Sequence, residues 1–183
     1  RTRRHFNNPK MRNITLHLGN GASMAAVNEK GHCIDTSMGF GPGDGLIMGT
    51  RAGNIDSTVI FFLGEKGHST QEISKIVNSE SGMKGLIGSP DARDLEALVN
   101  QGDPQGKLCL DMYAYRIKKF IGAYIMALGG VDSLIFTAGV GENSAMIRKA
   151  VCEGLEYFGI KIDEEKNEKL NHPSDIVEIE AAD

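Results

Sequence analysis

The sequence predicts an α/β domain with a mixed sheet, and three successive parts of the chain support this prediction. Residues 13–37 have the composition of three short strands joined by tight turns, which is typical of an antiparallel meander. Residues 56–128 show the periodicity and end signals of several helices. Residues 133–157 follow as an apolar strand, a glycine turn and an amphipathic helix, a βα unit. Together these parts indicate a mixed sheet with flanking helices.

The meander is predicted from alternating segments separated by turn residues. Strands are expected over residues 13–18, 23–27 and 32–37. The turn Gly19-Asn-Gly21 joins the first two, and residues 28–31 join the second and third. Asn20 suits such a turn because asparagine tolerates a left-handed backbone.

The helices are predicted from their caps and apolar faces. Helices are expected over residues 56–66, 69–78, 81–87, 91–101 and 104–128, then over 145–157 and 163–170, with an edge strand at 176–180. Ser69 and Glu72 match a capping box, and Asp103-Pro104 is a typical helix start. The long helix from Pro104 carries a wide apolar face, which indicates a core element or a subunit interface.

Composition excludes several classes of protein. The 183 residues suffice for one domain with a core, and a net charge of −4 argues against nucleic-acid binding. The basic segment 1–12 is expected to be a solvated arm. Three scattered cysteines indicate neither a zinc site nor a disulfide framework. Reduced thiols in a cytoplasmic protein are therefore expected. The stretch 120–131 is too short to cross a bilayer, so no membrane contact is expected.

The βα unit is a candidate anion or nucleotide site. The glycines of Gly139-Val-Gly141 would let backbone N–H groups approach a ligand, and the following helix start adds partial positive charge. Asn143 or Ser144 can cap that helix. Ser144 stands where the dinucleotide fingerprint has its third glycine, which disfavours a generic dinucleotide-binding domain. An ordinary strand-to-helix turn is the alternative interpretation of this pattern.

A long loop over residues 38–53 is the second candidate site. It contains six glycines together with apolar residues, and loops of this length inside a compact domain are usually functional when they are ordered. Arg51 lies in this loop, and a guanidinium group matches the geometry of carboxylate and phosphate. A solvated surface arginine is the alternative.

Three elements of the chain together resemble the acetokinase family, of the actin and sugar-kinase superfamily. They are His17-Leu-Gly-Asn-Gly21, the pair Asp35-Thr-Ser-Met-Gly-Phe40 and Met48-Gly-Thr-Arg51, and Phe136-Thr-Ala-Gly-Val-Gly-Glu-Asn-Ser144. Asp91-Ala-Arg-Asp-Leu95 and Ala114-Tyr-Arg-Ile-Lys-Lys-Phe-Ile-Gly122 are similar to the family as well. The resemblance runs from about Asn13 to about Asn167.

The resemblance implies a duplicated ribonuclease H-like (actin-like ATPase) fold with the active site between two halves. This chain resembles the C-terminal half only. Residues 1–12 form a non-matching basic arm, and residues 13–183 correspond to a truncated nucleotide-binding domain. The N-terminal half and the last strand and helix of the family are expected to lie outside this sequence.

The resemblance also implies a reaction and a set of site residues. The reaction is reversible phosphoryl transfer from ATP to acetate, giving ADP and acetyl phosphate, with Mg²⁺ bound by ligands that the chain does not reveal. Arg51 would be the catalytic residue. The ATP phosphates would be bound by His17, Leu18, Gly19, Asn20 and Gly21, and the adenine and ribose by Asp91, Ala92 and Arg93. The adenosine part would be bound by Gly139, Val140, Gly141, Glu142 and Asn143. A core-facing strand histidine is the alternative for His17.

Two further functional hypotheses remain open. A propionate or butyrate kinase of the same family would share every motif quoted above, because the acyl pocket lies largely in the other half. A nucleotide-binding or dimerising module without chemistry of its own is the alternative from another class. The family implies a homodimer formed through this domain.

Overall fold

The computed structural model describes residues 1–182. Its helices are α1 (Thr2–His5), α2 (Thr58–Glu65), α3 (Thr70–Ser79), α4 (Gly82–Ile87), α5 (Ala92–Asn100), α6 (Pro104–Leu128), α7 (Ala138–Asn143), α8 (Ala145–Cys152) and α9 (Glu164–Lys169), with a 3₁₀ turn at Glu156–Phe158. Its strands are β1 (Asn13–Leu18), β2 (Ala22–Val27), β3 (Cys33–Thr36) and β4 (Ser133–Thr137).

The chain forms two compact units, which are described separately. The first, called the sheet unit, comprises residues 1–19, 23–36 and 114–182. The second, called the loop unit, comprises residues 20–22 and 37–113. The long loop and helices α2 to α5 therefore belong to the loop unit, while β4 and α7 to α9 belong to the sheet unit.

The four strands form one mixed sheet in the order β3-β2-β1-β4. Strands β1 and β4 are parallel, with Asn13 opposite Ser133 and His17 opposite Thr137. Strands β2 and β3 are antiparallel, with an irregularity at Ala26 and Val27. The predicted mixed α/β sheet is confirmed, because the meander strands are neighbours in chain order and the βα strand joins them in parallel.

The core of the sheet unit follows from the alternation of strand side chains. Ile14, Leu16 and Leu18 of β1 are fully buried, whereas the side chains between them point to the other face. Ile121 of α6 and Ile147 of α8 are also fully buried. Burying each such aliphatic side chain contributes about 1.5–3 kcal/mol, so this one-sided pattern fixes the register of β1.

The loop unit has helices whose ends agree with the sequence. Ser69 accepts from the Glu72 N–H and the Glu72 carboxylate accepts from the Ser69 N–H, so the predicted capping box is formed. Asp91 caps α5 by accepting from the Arg93 N–H. Helices α2 to α5 lie within three residues of their predicted bounds, because caps and apolar periodicity are local signals.

Three predicted elements differ in the structure. The glycine turn after β4 is the helix α7, entered through Ala138 in a left-handed conformation with φ of 66°. The helix expected over 145–157 ends at Cys152, and Gly154 follows with φ of 79°. The edge strand expected over 176–180 is reduced to an isolated bridge between Ile162 and Glu180.

The basic N-terminal segment makes specific contacts, so the expected solvated arm is wrong for part of it. Arg3 donates to the Met11 carbonyl at 2.8 Å and also to the Asn28 carbonyl. Arg12 donates to the Gly129 carbonyl at 2.7 Å and forms an ion pair with Asp132 at 3.3 Å. These side chains hold the segment to the sheet unit.

The long helix α6 buries only part of the face predicted from its sequence. Ile117, Ile121 and Tyr124 are buried, as expected for a core stripe. Leu108 and Met112 are instead 46% and 39% exposed. Within residues 1–182, no helix combines the length and apolar character required to span a membrane.

Candidate functional site

In the sheet unit, the carboxyl ends of the parallel strands β1 and β4 place two polar side chains together. His17 is exposed, and its Nδ1 lies 3.0 Å from the Thr137 hydroxyl oxygen. The alternative of a core-facing histidine is therefore wrong. Ligands of open α/β sheets bind beyond the carboxyl ends of parallel strands, so His17 and Thr137 occupy the expected edge. Leu18 is fully buried and so exposes no surface to a ligand here, whereas Gly19 is half-buried.

The two glycines that follow β4 have different surroundings in α7. Gly139 is exposed, and a Cβ placed there would meet no atom within 4 Å. Gly141 is buried, and its Cβ position lies 3.5 Å from the Leu16 carbonyl oxygen and from the backbone of Phe136. Gly141 thus permits close packing of α7 on the strands, whereas Gly139 leaves open space beside the chain.

The polar side chains of α7 bond to its own backbone, and the Asn143 side-chain oxygen also accepts from the His172 N–H at 2.8 Å. The Glu142 carboxylate accepts from the Ala138 N–H at 3.0 Å, and the Asn143 amide donates to the Gly139 carbonyl at 2.9 Å. The side chain of Val140 is half-buried. The Ala138 N–H at the start of α7 therefore already has a partner, whereas the predicted role of the backbone at Gly139 and Gly141 stays a prediction.

A buried arginine, Arg148, supports α7 through hydrogen bonds, and no motif in the sequence indicated this role. Arg148 is fully buried in α8 and donates to the carbonyls of Gly141 at 3.1 Å and Glu142 at 2.8 Å. Its guanidinium also donates to the side-chain and backbone oxygens of Asn167, at 2.6 and 2.8 Å. The available signal was its spacing: Arg148 falls on the same helical face as Val151, three residues on.

The loop unit brings the turn residues Asn20 and Gly21 against the long loop. The Asn20 carbonyl accepts from the Gly49 N–H at 3.0 Å. A Cβ at Gly49 would lie 2.0 Å from the Asn20 side-chain oxygen, so a larger residue there would displace the Asn20 side chain. A Cβ at Gly21 would lie 3.4 Å from Nη1 of Arg51, which places that guanidinium beside the turn. Three of the predicted site residues therefore meet.

Within the described residues 1–182, the Arg51 guanidinium has no acidic partner. It is half-buried, and its Nη1 lies 3.6 Å from the Met48 sulfur, a weak acceptor. Among the residues that the structure describes, no carboxylate lies within ion-pair distance of Arg51. A partly buried, unneutralised guanidinium favours an anionic ligand, because transfer from water has already weakened its solvation.

Asp91, Ala92 and Arg93 also lie in the loop unit, at the start of α5. Arg93 donates from Nη2 to the Asp91 carboxylate at 2.5 Å, and this hydrogen bond lowers the pKa of Asp91 to about 2. The Arg93 side chain is 88% exposed, and Ala92 is half-buried. Asp91 and Arg93 thus neutralise each other, in contrast to Arg51.

The described residues offer no preformed metal site. In residues 1–182, no group of three or more His, Cys, Asp or Glu side chains is arranged to hold a metal ion. The three cysteines are free thiols, and burial raises the pKa of Cys109 and of Cys152 to about 11. These two buried thiols are therefore protonated at neutral pH.

The mixed sheet, with its parallel pair β1 and β4 and flanking helices, belongs to the actin-like ATPase class of α/β domains. The family model "Acetokinase family" matches residues 1–183, and the chain belongs to this family. The match includes residues 1–12, for which the motifs had given no resemblance.

Curated relatives and solved structures agree with this assignment. An acetate kinase from Bacteroides fragilis is 57% identical over 156 residues, covering 84% of this chain and 39% of the relative. The crystal structure of Porphyromonas gingivalis acetate kinase matches with a TM-score of 0.89 at 42% identity, covering 94% of this chain and 44% of that one. A propionate kinase from Francisella tularensis matches with a TM-score of 0.86 at 40% identity, covering 91% and 43%. The chain thus spans less than half the length of these relatives.

Proposed function

We propose that this chain is the nucleotide-binding half of an acetate kinase, which transfers a phosphoryl group reversibly from ATP to acetate. The products are ADP and acetyl phosphate. The proposal is supported by the family membership and by the names of the relatives. The observation that carries it is Arg51, a half-buried guanidinium that lies beside the turn Asn20–Gly21 on an ordered glycine-rich loop and has no acidic partner in the part of the chain that the structure describes.

In this proposal each part of the site performs a separate task. Residues His17 to Gly21 contact the ATP phosphates, residues Gly139 to Asn143 contact the adenosine, and residues Asp91 to Arg93 lie toward the adenine and ribose. Phosphoryl transfer passes through a loose transition state whose charge is spread over equatorial oxygens, so catalysis depends on positioning and electrostatic stabilisation. Arg51 donates hydrogen bonds to those oxygens.

Mg²⁺ belongs to the proposal as the partner of the nucleotide phosphates. Magnesium sites of this kind use few protein carboxylates together with phosphate oxygens and water. Residues 1–182 contain no cluster of His, Cys, Asp or Glu side chains arranged to hold the ion by themselves. We also propose a cytoplasmic location, supported by the free thiols and by the use of ATP.

The role of Arg51 is testable in a complete enzyme. Such an enzyme, called the chimera, is the Bacteroides fragilis acetate kinase with its matched part replaced by this sequence. We expect Arg51→Ala to lower kcat by roughly 100- to 1,000-fold while the KM for ATP changes little, because the lost hydrogen bonds act mainly in the transition state. Arg51→Lys should recover only part of the rate, because lysine lacks the planar fork.

The control for Arg51 is Lys107→Ala. Lys107 lies on the same unit and forms a surface ion pair with Asp111 at 2.9 Å, so removing it also deletes one positive charge. Its kcat should match that of the unmodified chimera. An Arg51→Ala chimera with normal kcat would remove the catalytic role.

A propionate or butyrate kinase is the second candidate, favoured by the similarity to the Francisella tularensis propionate kinase. The acyl pocket lies largely outside this chain by resemblance to the family. The deciding measurement is therefore kcat/KM for acetate, propionate and butyrate, made on the complete protein with its own N-terminal half. A preference for the longer acids would replace acetate as the substrate.

We further propose that the protein is a homodimer whose contact includes α6. Leu108 and Met112 lie one turn apart on this helix and are both exposed, which is the pattern of an apolar contact surface. Sedimentation velocity of the chimera should give a dimer, and Met112→Glu should shift it toward monomer. A dimer unaffected by Met112→Glu would place the contact elsewhere, and a dimer without turnover would favour the non-catalytic alternative.

A further inference from the structure

We propose that the Ser81–Gly82 corner, at the start of α4, is the positioning element for Arg51. This inference rests on the proposed catalytic role of Arg51. The Ser81 hydroxyl donates to the Ile76 carbonyl at 2.7 Å and Gly82 has no side chain, so the corner acts by fixing the backbone of the loop that carries the guanidinium.

Hydrogen bonds join the residues on both sides of Arg51 to α3 and to Ser81, which follows α3 in the chain. The Thr50 carbonyl accepts from the Ser81 N–H at 3.0 Å, and the Thr50 hydroxyl donates to the Asn78 carbonyl at 3.1 Å. On the other side, the Ala52 N–H donates to the Val77 carbonyl at 3.0 Å. Arg51 therefore lies between two anchored neighbours.

The first turn of α4 holds the residues just before Arg51. The Met83 N–H donates to the Met48 carbonyl and the Lys84 N–H donates to the Gly49 carbonyl, both at 2.9 Å. N–H groups in the first turn of a helix have no partner within the helix, so they are available for contacts outside it. Two of these N–H groups of α4 bind the loop, so the position of α4 is coupled to the position of Arg51.

Gly82 is the point of closest approach between α4 and the loop. It is buried with φ of 64°, and a Cβ at this position would lie 2.1 Å from the Met48 carbonyl oxygen. The same Cβ would lie 2.8 Å from the Arg51 carbonyl oxygen and 3.0 Å from the Arg51 nitrogen. All three atoms are backbone, so a methyl group can be accommodated only by moving the loop by about 1 Å.

Gly88 provides a matched control at the other end of α4. It has φ of 78°, close to that of Gly82, but it is exposed and a Cβ there meets nothing within 4 Å. Gly82→Ala and Gly88→Ala therefore introduce similar backbone strain. Only the first introduces a contact with the Arg51 backbone, so the difference between the two variants reports on positioning.

The experiment measures steady-state kinetics and thermal melting of the chimera carrying each variant. A displacement of about 1 Å in a catalytic group reduces rate by roughly 100-fold, so we expect a loss of that size in kcat for Gly82→Ala, with the KM for ATP within about threefold. Gly88→Ala should keep kcat within about twofold. Combined with Arg51→Ala, the Gly82→Ala change should lower kcat little further, because both act on one group.

The outcomes separate this inference from the proposed function. Normal kcat in folded Gly82→Ala, or fully additive losses in the double variant, would overturn the inference while leaving the effect of Arg51→Ala intact. Normal kcat in Arg51→Ala would overturn the proposed role itself. If Gly82→Ala does not fold, Ser81→Ala removes the hydroxyl that fixes the corner to the Ile76 carbonyl at 2.7 Å, with little change in volume. A loss of kcat in that variant supports the inference, and an unchanged kcat refutes it.

Discussion

At the scale of single residues, the surroundings of an arginine distinguish roles that its identity does not. Arg51 has no acidic partner among the residues that the structure describes, Arg93 is paired with Asp91 at a helix start, and Arg148 is fully buried on backbone carbonyls. Only the first leaves its guanidinium open to an anionic ligand. Arg148 instead supports the helix α7, which contains five of the proposed nucleotide contacts.

Arg148→Ala should strongly destabilise the sheet unit. The substitution leaves the carbonyls of Gly141, Glu142 and Asn167 without this donor, and a buried group left unsatisfied costs about 1–3 kcal/mol. We therefore expect a loss of about 3 kcal/mol or more in the free energy of unfolding, measured by urea denaturation of the 183-residue chain.

The control for Arg148 is its neighbour Lys149, which forms an exposed ion pair with Glu164 at 2.8 Å. Lys149→Ala should reduce the free energy of unfolding far less than Arg148→Ala, because surface ion pairs contribute little. Equal losses for the two variants would contradict the supporting role assigned to Arg148.

The sequence indicated Arg51 but not Arg148, and the reason is physical. A glycine-rich loop with apolar residues marks Arg51 locally, within about fifteen residues. The role of Arg148 depends on Asn167, nineteen residues away, and on carbonyls of a helix that the sequence presented as a turn. Contacts of that kind exist only after the chain has folded.

At the scale of elements, the helix starts were the most predictable features. Ser69, Asp91, Ser144 and Asp163 all cap helices with their side chains. A cap requires only a short polar side chain within three residues of the N–H groups, so the sequence contains the whole signal. The α7 helix was missed because Ala138 adopts a left-handed backbone that is unusual for alanine.

The cap at Asp91 should give stability a defined dependence on pH. The Arg93 side chain holds the pKa of Asp91 at about 2, below its ordinary value of 3.8. The stabilisation from this charge is therefore complete above the ordinary pKa and is lost as pH falls through the folded-state value. We expect the difference in unfolding free energy between the chain and Asp91→Asn to be below about 1 kcal/mol near pH 6 and to shrink between pH 4 and pH 2.

Asp91→Ala separates the cap from the charge. Asparagine keeps a capping oxygen, whereas alanine removes it, so Asp91→Ala should cost about 1 kcal/mol at pH 6 beyond any loss in Asp91→Asn. Urea denaturation across this pH range measures both effects. A difference between the chain and Asp91→Asn that stays constant down to pH 2 would show that the ion pair does not lower the pKa of Asp91.

At the scale of the whole molecule, the predicted sheet was correct because hairpins and βα units follow general rules of connection. The contacts of the basic N-terminal segment were not predictable, since Arg12 meets Asp132 across 120 residues.

Strand β4 is an edge strand of the sheet that the described residues form, and all five of its residues are half-buried. A groove of about 790 Å³ adjoins it within the sheet unit.

The most direct test of this chain as a nucleotide-binding half is calorimetric titration with Mg-ATP. We expect the unmodified chain to bind and Gly139→Val not to bind, because the valine would fill the open space beside α7 that the proposal assigns to adenosine. The fold should tolerate the change, since a Cβ at Gly139 meets no atom within 4 Å and its φ is not positive.

Gly64→Val is the matched control, because Gly64 is also exposed and helical and has nothing within 4 Å of its Cβ position. Binding by the chain and by Gly64→Val, together with its loss in Gly139→Val, would assign the nucleotide to the end of β4. Equal binding by all three would move it away from Gly139. No binding by any of them, with a helical circular dichroism spectrum, would mean that residues 1–183 fold without forming a sufficient site. ATP affinity would then depend on the other half of the enzyme.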